Sequence, residues 1–179
     1  MKSNLLKKHA KSFYWASLFL SSNTLDKCSS LYNFCRTLDD IVDDNNNLEA
    51  KKEIFSKFKM DFENRNLKNN IIKDMWSIIN SENISKQVVL DLFDGVETDL
   101  NEKVIINSKK DLLIYSYRVA GTVGLMMSKI LKVRNKDALK GAIDLGIAMQ
   151  LTNIARDVCE DKARNRQYVD HNFLAIREI

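Results

Sequence analysis

The chain has 179 residues, 28 Lys and Arg against 24 Asp and Glu, and a net charge of +4. So small an excess, spread over both signs, excludes the concentrated basic stripe of a nucleic-acid binder, and an apolar share of 45% excludes disorder over most of the chain. With no proline and only five glycines, the usual punctuation of turns and hairpins is missing, and an all-α fold in one domain is expected.

Residues 5–20 are apolar on a broad face behind Lys7, Lys8 and Lys11. Serines interrupt this segment and it is too short to span a bilayer, so it reads as a first helix and not as a secretory signal. Ser21, Ser22, Asn23 and Thr24 supply side-chain acceptors that cap a second helix over 24–43, which the Asn45–Asn47 run ends. A third helix over 48–64 carries Ile54, Phe55, Phe58 and Phe62 at helical spacing. Shorter helices are expected over 67–80 and over 85–101, the latter capped by Ser85 and weakened by Gly95. Two long helices follow, over 108–131 and 136–161, with a short connection typical of antiparallel neighbours.

Three cysteines, Cys28, Cys35 and Cys159, form no C-x-x-C pair and point to a reducing cytoplasm. They read as small core residues, as Trp15, Trp76 and Met126 read as packing. Every other apolar run is broken by charge within a few residues, so no transmembrane helix is expected.

Two stretches carry more than packing. In LYNFCRTLDDIVDD, residues 31–44, the side chains of Tyr32, Arg36, Asp39 or Asp40, and Asp43 share one helical face. Leu31, Phe34, Cys35, Leu38, Ile41 and Val42 occupy the others. Asp39 and Asp43, one turn apart, repel each other unless a cation lies between them; taken alone, a solvated acidic face explains the stretch equally well. The second stretch, residues 145–169, places Gln150, Asn153, Asp157 and Asp161 on one face amid Ile147, Ala148, Leu151, Ile154, Ala155 and Val158. An amide-amide-acid-acid line in so apolar a helix needs a polar partner, because a buried, unpartnered carboxylate costs several kcal/mol.

Two such helices facing each other across a bundle would bring four carboxylates to one cavity. Mg²⁺, which takes few carboxylates and keeps water and substrate phosphate, is the natural guest. A di-iron bundle would need Glu-x-x-His pairs, and a glycine-loop nucleotide site a Gly-rich motif; neither occurs.

Four segments in order, HAKSFYWASLFL from His9, LYNFCRTLDDIVDD from Leu31, YSYRVAGTVGLMM from Tyr115 and QLTNIARDVCEDKARNRQYV from Gln150, resemble the squalene/phytoene synthases. These are the head-to-head prenyl transferases, and the phytoene synthase branch is the most similar. The resemblance implies an all-α isoprenoid-synthase helical bundle around a central cavity, with Mg²⁺, or Mn²⁺ in its place, bridging two Asp-rich motifs to prenyl diphosphates. Family members continue with further helices past the second motif, whereas this sequence ends at Ile179, so a bundle without the C-terminal helices is expected.

Carried over residue by residue, Asp39 and Asp43 form the first metal-binding pair, Asp157 and Asp161 the second, with Asn153 beside it. Gln150 lines the same pocket. Arg36 and Tyr32 meet the diphosphate and the reacting end, His9, Lys11 and Phe13 contact substrate from the first helix, and Arg156 is a further diphosphate ligand. Tyr115, Val119 and Val123 would wall the carbocation from water, and Ala120, Gly121 and Gly124 either leave room for isoprenoid tails or let helices pack closely.

The implied reaction joins two geranylgeranyl diphosphates through a cyclopropylcarbinyl diphosphate to phytoene, with no NADPH. A sibling that makes presqualene diphosphate or squalene from farnesyl diphosphate is one alternative, and a non-catalytic prenyl-lipid binder or assembly factor another. A product that dissolves in the bilayer makes loose peripheral membrane contact reasonable. Oligomeric state is not legible in the sequence.

Overall fold

The computed structural model describes residues 15, 19–44 and 47–169. Among these, helices make up almost all regular structure, in the order α1 (Ser22–Asp43), α2 (Leu48–Glu63), α3 (Asn70–Glu82), α4 (Lys86–Glu97), a 3₁₀ turn (Thr98–Leu100), β1 (Val104–Ile105), α5 (Lys109–Ser116), a π turn (Tyr117–Gly121), α6 (Thr122–Ile130), α7 (Lys136–Arg156), α8 (Val158–Ala163) and β2 (Arg166–Gln167). The all-α expectation holds. The expected first helix over 5–20 lies almost wholly outside the described residues, and no described helix is long and apolar enough to cross a membrane.

Polar side chains set the starts. Ser21 Oγ accepts from Thr24 N–H at 3.4 Å, Asn47 Oδ1 from Ala50 N–H at 2.9 Å, Asn69 Oδ1 from Ile71 N–H at 2.9 Å and Ser108 Oγ from Asp111 N–H at 3.0 Å. Each satisfies a backbone donor that the first helical turn leaves without a partner. Asn69 places the start of α3 at Asn70, three residues later than the apolar pattern suggested.

The two long helices differ from expectation. The helix expected over 108–131 contains a π turn, in which Thr122 N–H reaches back five residues to Tyr117 O. The extra residue per turn rotates everything after it, which apolar periodicity does not register. The helix expected over 136–161 leaves helical geometry at Asp157 (φ −101°, ψ 15°) and resumes as α8. Asp157 N–H still bonds Asn153 O at 2.9 Å and Asp161 N–H bonds Asp157 O at 2.8 Å, so one helix closes and the next opens on Asp157 itself. The two short strands, absent from the sequence reading, pair in parallel with Val104 opposite Arg166.

The chain divides into two compact units. The first comprises Met1–Lys86 and Met126–Asn135. Its core takes Leu31, Phe34, Leu38 and Val42 from α1, Phe55, Phe58 and Phe62 from α2, and Ile72, Met75, Trp76 and Ile79 from α3. Phe34 lies 5.8 Å from both Phe58 and Phe62, and Phe62 stacks on Trp76 at 5.1 Å. The Trp76 indole N–H donates to Phe62 O at 3.0 Å, so its one polar atom is satisfied where it is buried. Trp76, Met126 and Cys28 are core, as expected; Cys159 is exposed and Trp15 is 68% exposed, so neither packs as expected.

One charge is buried with this core. The Glu82 side chain, 1% exposed at the end of α3, receives Lys27 of α1 at 2.5 Å on Oε1 and Lys132, just after α6, on Oε2. Ser81 Oγ donates to Oε1 at 3.1 Å. The Lys132 and Lys27 ammonium groups hold the Glu82 carboxyl down to about 2, against an ordinary 4.5.

The second unit comprises Gln87–Leu125 and Lys136–Ile179. Val104, Ile106, Tyr115, Ile154 and Tyr168 form a buried cluster with Leu112, Val119 and Val169 against it. Glycines bring its backbones together. A Cβ on Gly124 would stand 2.3 Å from Ala142 O, one on Gly146 2.4 Å from Ala120 O, and one on Gly95 2.7 Å from Arg118 Cβ. Of the two readings of Ala120 and Gly124, close helix packing is the one that these contacts bear out.

Glu82→Gln should destabilise the first unit by about 2 kcal/mol at pH 7, the scale for hydrogen bonds to charged groups. Because the folded-state pKa lies below the unfolded one, the wild-type advantage is full above about pH 4.5 and disappears as pH falls towards 2; denaturant titrations of both forms across that window measure it. Gly124→Ala and Gly146→Ala should each cost about 1–3 kcal/mol through overpacking. Gly141→Ala, in a helix with nothing within 4 Å, should gain about 0.5–1 kcal/mol, and thermal unfolding of the three variants decides the contrast.

Candidate functional site

In the first unit, the buried side of α1 fixes the rotation of its polar face. With Leu31, Phe34, Leu38 and Val42 turned inward, Arg36, Asp39, Asp40 and Asp43 are exposed and Tyr32 is half-buried. Arg36 Nη2 pairs with Asp40 Oδ1 at 2.8 Å, one turn along. The Tyr32 hydroxyl is raised by burial first, is lowered by Arg36 and is raised again by Asp39 and Asp40. Tyr32, Arg36 and the aspartates therefore share one electrostatic neighbourhood, as the spacing suggested. His9, Lys11 and Phe13 lie outside the described residues.

In the second unit, Gln150, Asn153, Asp157 and Asp161 are all half-buried. The apolar residues around them are less enclosed than the sequence reading held: Ile154 is buried, whereas Ala148, Ala155 and Val158 are exposed, and Leu145 and Met149 beside them are 62% and 47% exposed. The line of acid thus runs along the edge of the buried cluster, with water on one side. Asp157 is also engaged by its neighbour, since Arg156 Nε and Nη2 each reach one of its carboxylate oxygens at 2.6 Å. That fork holds the Asp157 carboxyl low.

Asp161 behaves in the opposite way. Burial raises its carboxyl, Arg166 opposes this, and the negative charges of Asp157 and Asp99 raise it further. A cavity of about 250 Å³ opens beside it, lined by Ile154, Val158, Asp161, Lys162, Arg166 and Tyr168. Tyr115 and Val119, expected to wall a carbocation, belong to the packed cluster beside Ile154. The Tyr115 hydroxyl donates to Asp99 Oδ2 at 2.8 Å. Val123 is half-buried. The sequence reading missed Asp99, Lys162, Arg166 and Tyr168, which no regular spacing ties to the acidic row, and Tyr117, whose hydroxyl donates to Asp91 Oδ2 at 3.3 Å.

Among the described residues no group of three acidic, His or Cys side chains is close enough to cage a metal alone. Each row offers a pair of hard carboxylate oxygen donors one turn apart, and at Asp161 burial and then the neighbouring negative charge raise the carboxyl. This donor set fits Mg²⁺, which keeps several waters and takes the rest of its shell from substrate phosphate. Arg156 is the cation that such an ion would displace from Asp157.

The squalene/phytoene synthase family profile matches residues 6–175. Phytoene synthase from Pseudescherichia vulneris is 32% identical over 177 residues, covering 92% of this chain and 57% of its own. The 15-cis-phytoene synthase of Pantoea ananas is 30% identical with the same coverages. A crystal structure of a dehydrosqualene synthase in complex with ligand superposes with a TM-score of 0.77 at 34% identity, over 93% of this chain and 59% of that one. Squalene synthase HpnC from Alicyclobacillus acidocaldarius shares the fold, with a TM-score of 0.77 at 20% identity over 92% and 63% of the two chains. The chain spans about three fifths of the length of these relatives.

Burial and the Asp99 charge push the Tyr115 and Tyr168 hydroxyls well above the usual 10. An unfolded chain ionises both near 10 and the folded one does not, so stability falls as pH rises beyond 10. Absorbance at about 295 nm should show two of the five tyrosines ionising only as circular dichroism reports alkaline unfolding.

Proposed function

Because the chain belongs to the squalene/phytoene synthase family, we propose that it takes part in the head-to-head condensation of two prenyl diphosphates, geranylgeranyl diphosphate in the first instance, to give phytoene. The observation that carries this reading is the pair of acidic rows, Asp39 with Asp43 and Asp157 with Asp161, each with an arginine at hand, in a chain 30–32% identical to phytoene synthases.

Asp39, Asp43, Asp157, Asp161 and the Asn153 amide oxygen would hold Mg²⁺, or Mn²⁺ in its place. When bound, the ion draws charge off the leaving diphosphate. The remaining work falls to the chain. Arg36 exchanges its exposed pairing with Asp40 for a diphosphate oxygen, and Arg156 does the same on leaving Asp157. The Gln150 amide N–H groups donate to a diphosphate oxygen as well. Tyr32 keeps its proton, since its environment disfavours the phenolate, and is a neutral donor beside Arg36. The allylic cation freed in this way adds to the double bond of the second substrate, which loses a proton as it closes to a cyclopropylcarbinyl diphosphate; departure of the second diphosphate, rearrangement and loss of a second proton complete the C40 skeleton, the protons passing to the released diphosphate. No hydride is consumed, so NADPH has no role in this reaction.

A second reading has its own support. The 34% identity to a dehydrosqualene synthase favours two C15 farnesyl units condensed by the same chemistry. Both readings use prenyl diphosphates and the same residues, and they differ in the length of the tail that is accepted.

Incubation with C20 and C15 diphosphates, together and singly, with and without Mg²⁺, tests both. Diphosphate release should require the metal, and mass spectrometry should find a C40 hydrocarbon formed ahead of a C30 one; the reverse order establishes the farnesyl reading. Asp39→Asn and Asp157→Asn should each lower kcat by about 100-fold. A folded protein that releases no diphosphate from either substrate overturns the proposal.

A further inference from the structure

Among the carboxylates of the second unit that belong to neither acidic row, Asp99 receives two tyrosine hydroxyls. Asp99 stands in the 3₁₀ turn between α4 and β1, half-buried. Tyr168 donates its hydroxyl to Oδ1 at 2.6 Å and Tyr115 donates to Oδ2 at 2.8 Å, with the two hydroxyl oxygens 3.2 Å apart. Three oxygen contacts share two protons. The charge-assisted bonds to the carboxylate are the stronger, so both protons point there. The contact between the hydroxyls then carries no proton, and the tyrosines are kept together by the shared carboxylate and by their rings, stacked at 4.9 Å and 24°.

The clamp gathers residues 99, 115 and 168 from three separate segments. Tyr168 directly follows β2, which pairs with β1 through two residues only. Flanking bonds from Val104 N–H to Asn165 O at 3.1 Å and from Ile106 N–H to Gln167 O at 3.0 Å complete the ladder. A pairing this short does not hold itself in water. Arg166 of β2 and Tyr168 line the same cavity as Asp161, and the Arg166 charge bears on the Asp161 carboxyl. Where the Tyr168 hydroxyl is fixed, the strand that presents Arg166 is fixed too.

We propose that Asp99 is a positioning residue: through Tyr168, braced by Tyr115, it holds β2 and Arg166 in place beside Asp161. The catalytic consequence rests on the prenyl-diphosphate reading, while the clamp rests on geometry alone.

Wild type is compared with Asp99→Asn, Tyr168→Phe and the double variant. Amide hydrogen exchange across residues 104–106 and 166–168 should rise about tenfold in each variant. The kcat of diphosphate release should fall about tenfold with KM held within about twofold, because the loss is of orientation and not of affinity. The double variant should lose little beyond either single one, as expected for two residues acting as one unit. Unchanged exchange at the two strands in folded Asp99→Asn overturns the clamp, and faster exchange with unchanged kcat reduces Asp99 to a structural residue. A wild type that releases no diphosphate overturns the reading of the reaction, and the exchange measurement then decides the clamp by itself. Should Asp99→Asn fail to fold, Tyr168→Phe, which leaves the carboxylate bonded to Tyr115, carries the same measurements.

Discussion

Carboxylates set one helical turn apart repel each other, and both acidic rows of this protein are shaped by how that repulsion is relieved. On α1, Asp39 and Asp43 stand exposed to solvent, and Arg36 pairs with Asp40. At the junction of α7 and α8, Arg156 grips Asp157 through both oxygens, while burial and the neighbouring negative charges raise the Asp161 carboxyl above its ordinary value. In both places an arginine on an exposed stem pairs with a carboxylate of the stretch, Arg36 with Asp40 and Arg156 with Asp157, and is able to turn to another anion. A site that binds an anionic ligand through a divalent ion needs this property: its charges are satisfied without the ligand and remain exchangeable when the ligand arrives.

Buried charge away from the rows is compensated in two other ways. Glu82 receives two ammonium groups and becomes a fixed joint between α1, α3 and the turn after α6. Asp99 receives two neutral hydroxyls, those of Tyr115 and Tyr168, one on each carboxylate oxygen. The first arrangement suits a structural joint. The second leaves a field that reaches Asp161.

Much of this was legible in the chain itself. The phenylalanines of α2 repeat at helical spacing because they fill one core, and Ser21 and Ser108 lie where an apolar pattern begins because a bare helix start needs acceptors. The acidic rows were legible for the same reason, since i and i+4 share a face. The π turn at Tyr117–Gly121 was not, because it changes the period on which the reading relies. Nor was the break at Asp157, where the sequence looks helical on both sides. The Asp99 clamp joins three positions far apart in the chain by hydroxyl geometry, which leaves no periodic trace. Trp15 and Cys159 show the limit of reading apolar character as burial, since a residue type states a preference and only the fold assigns a place.

The backbone contacts at Gly124 and Gly146 bear on how such a protein can change over generations. Where a carbonyl oxygen occupies the space of a side chain, no other amino acid can be sampled without parting two helices, and that stretch of surface is closed to gradual remodelling. Remodelling of this unit must then begin elsewhere, at positions whose neighbours are flexible side chains. Lineages that diverge in the molecules they accept would keep these glycines as a shared, unedited seam.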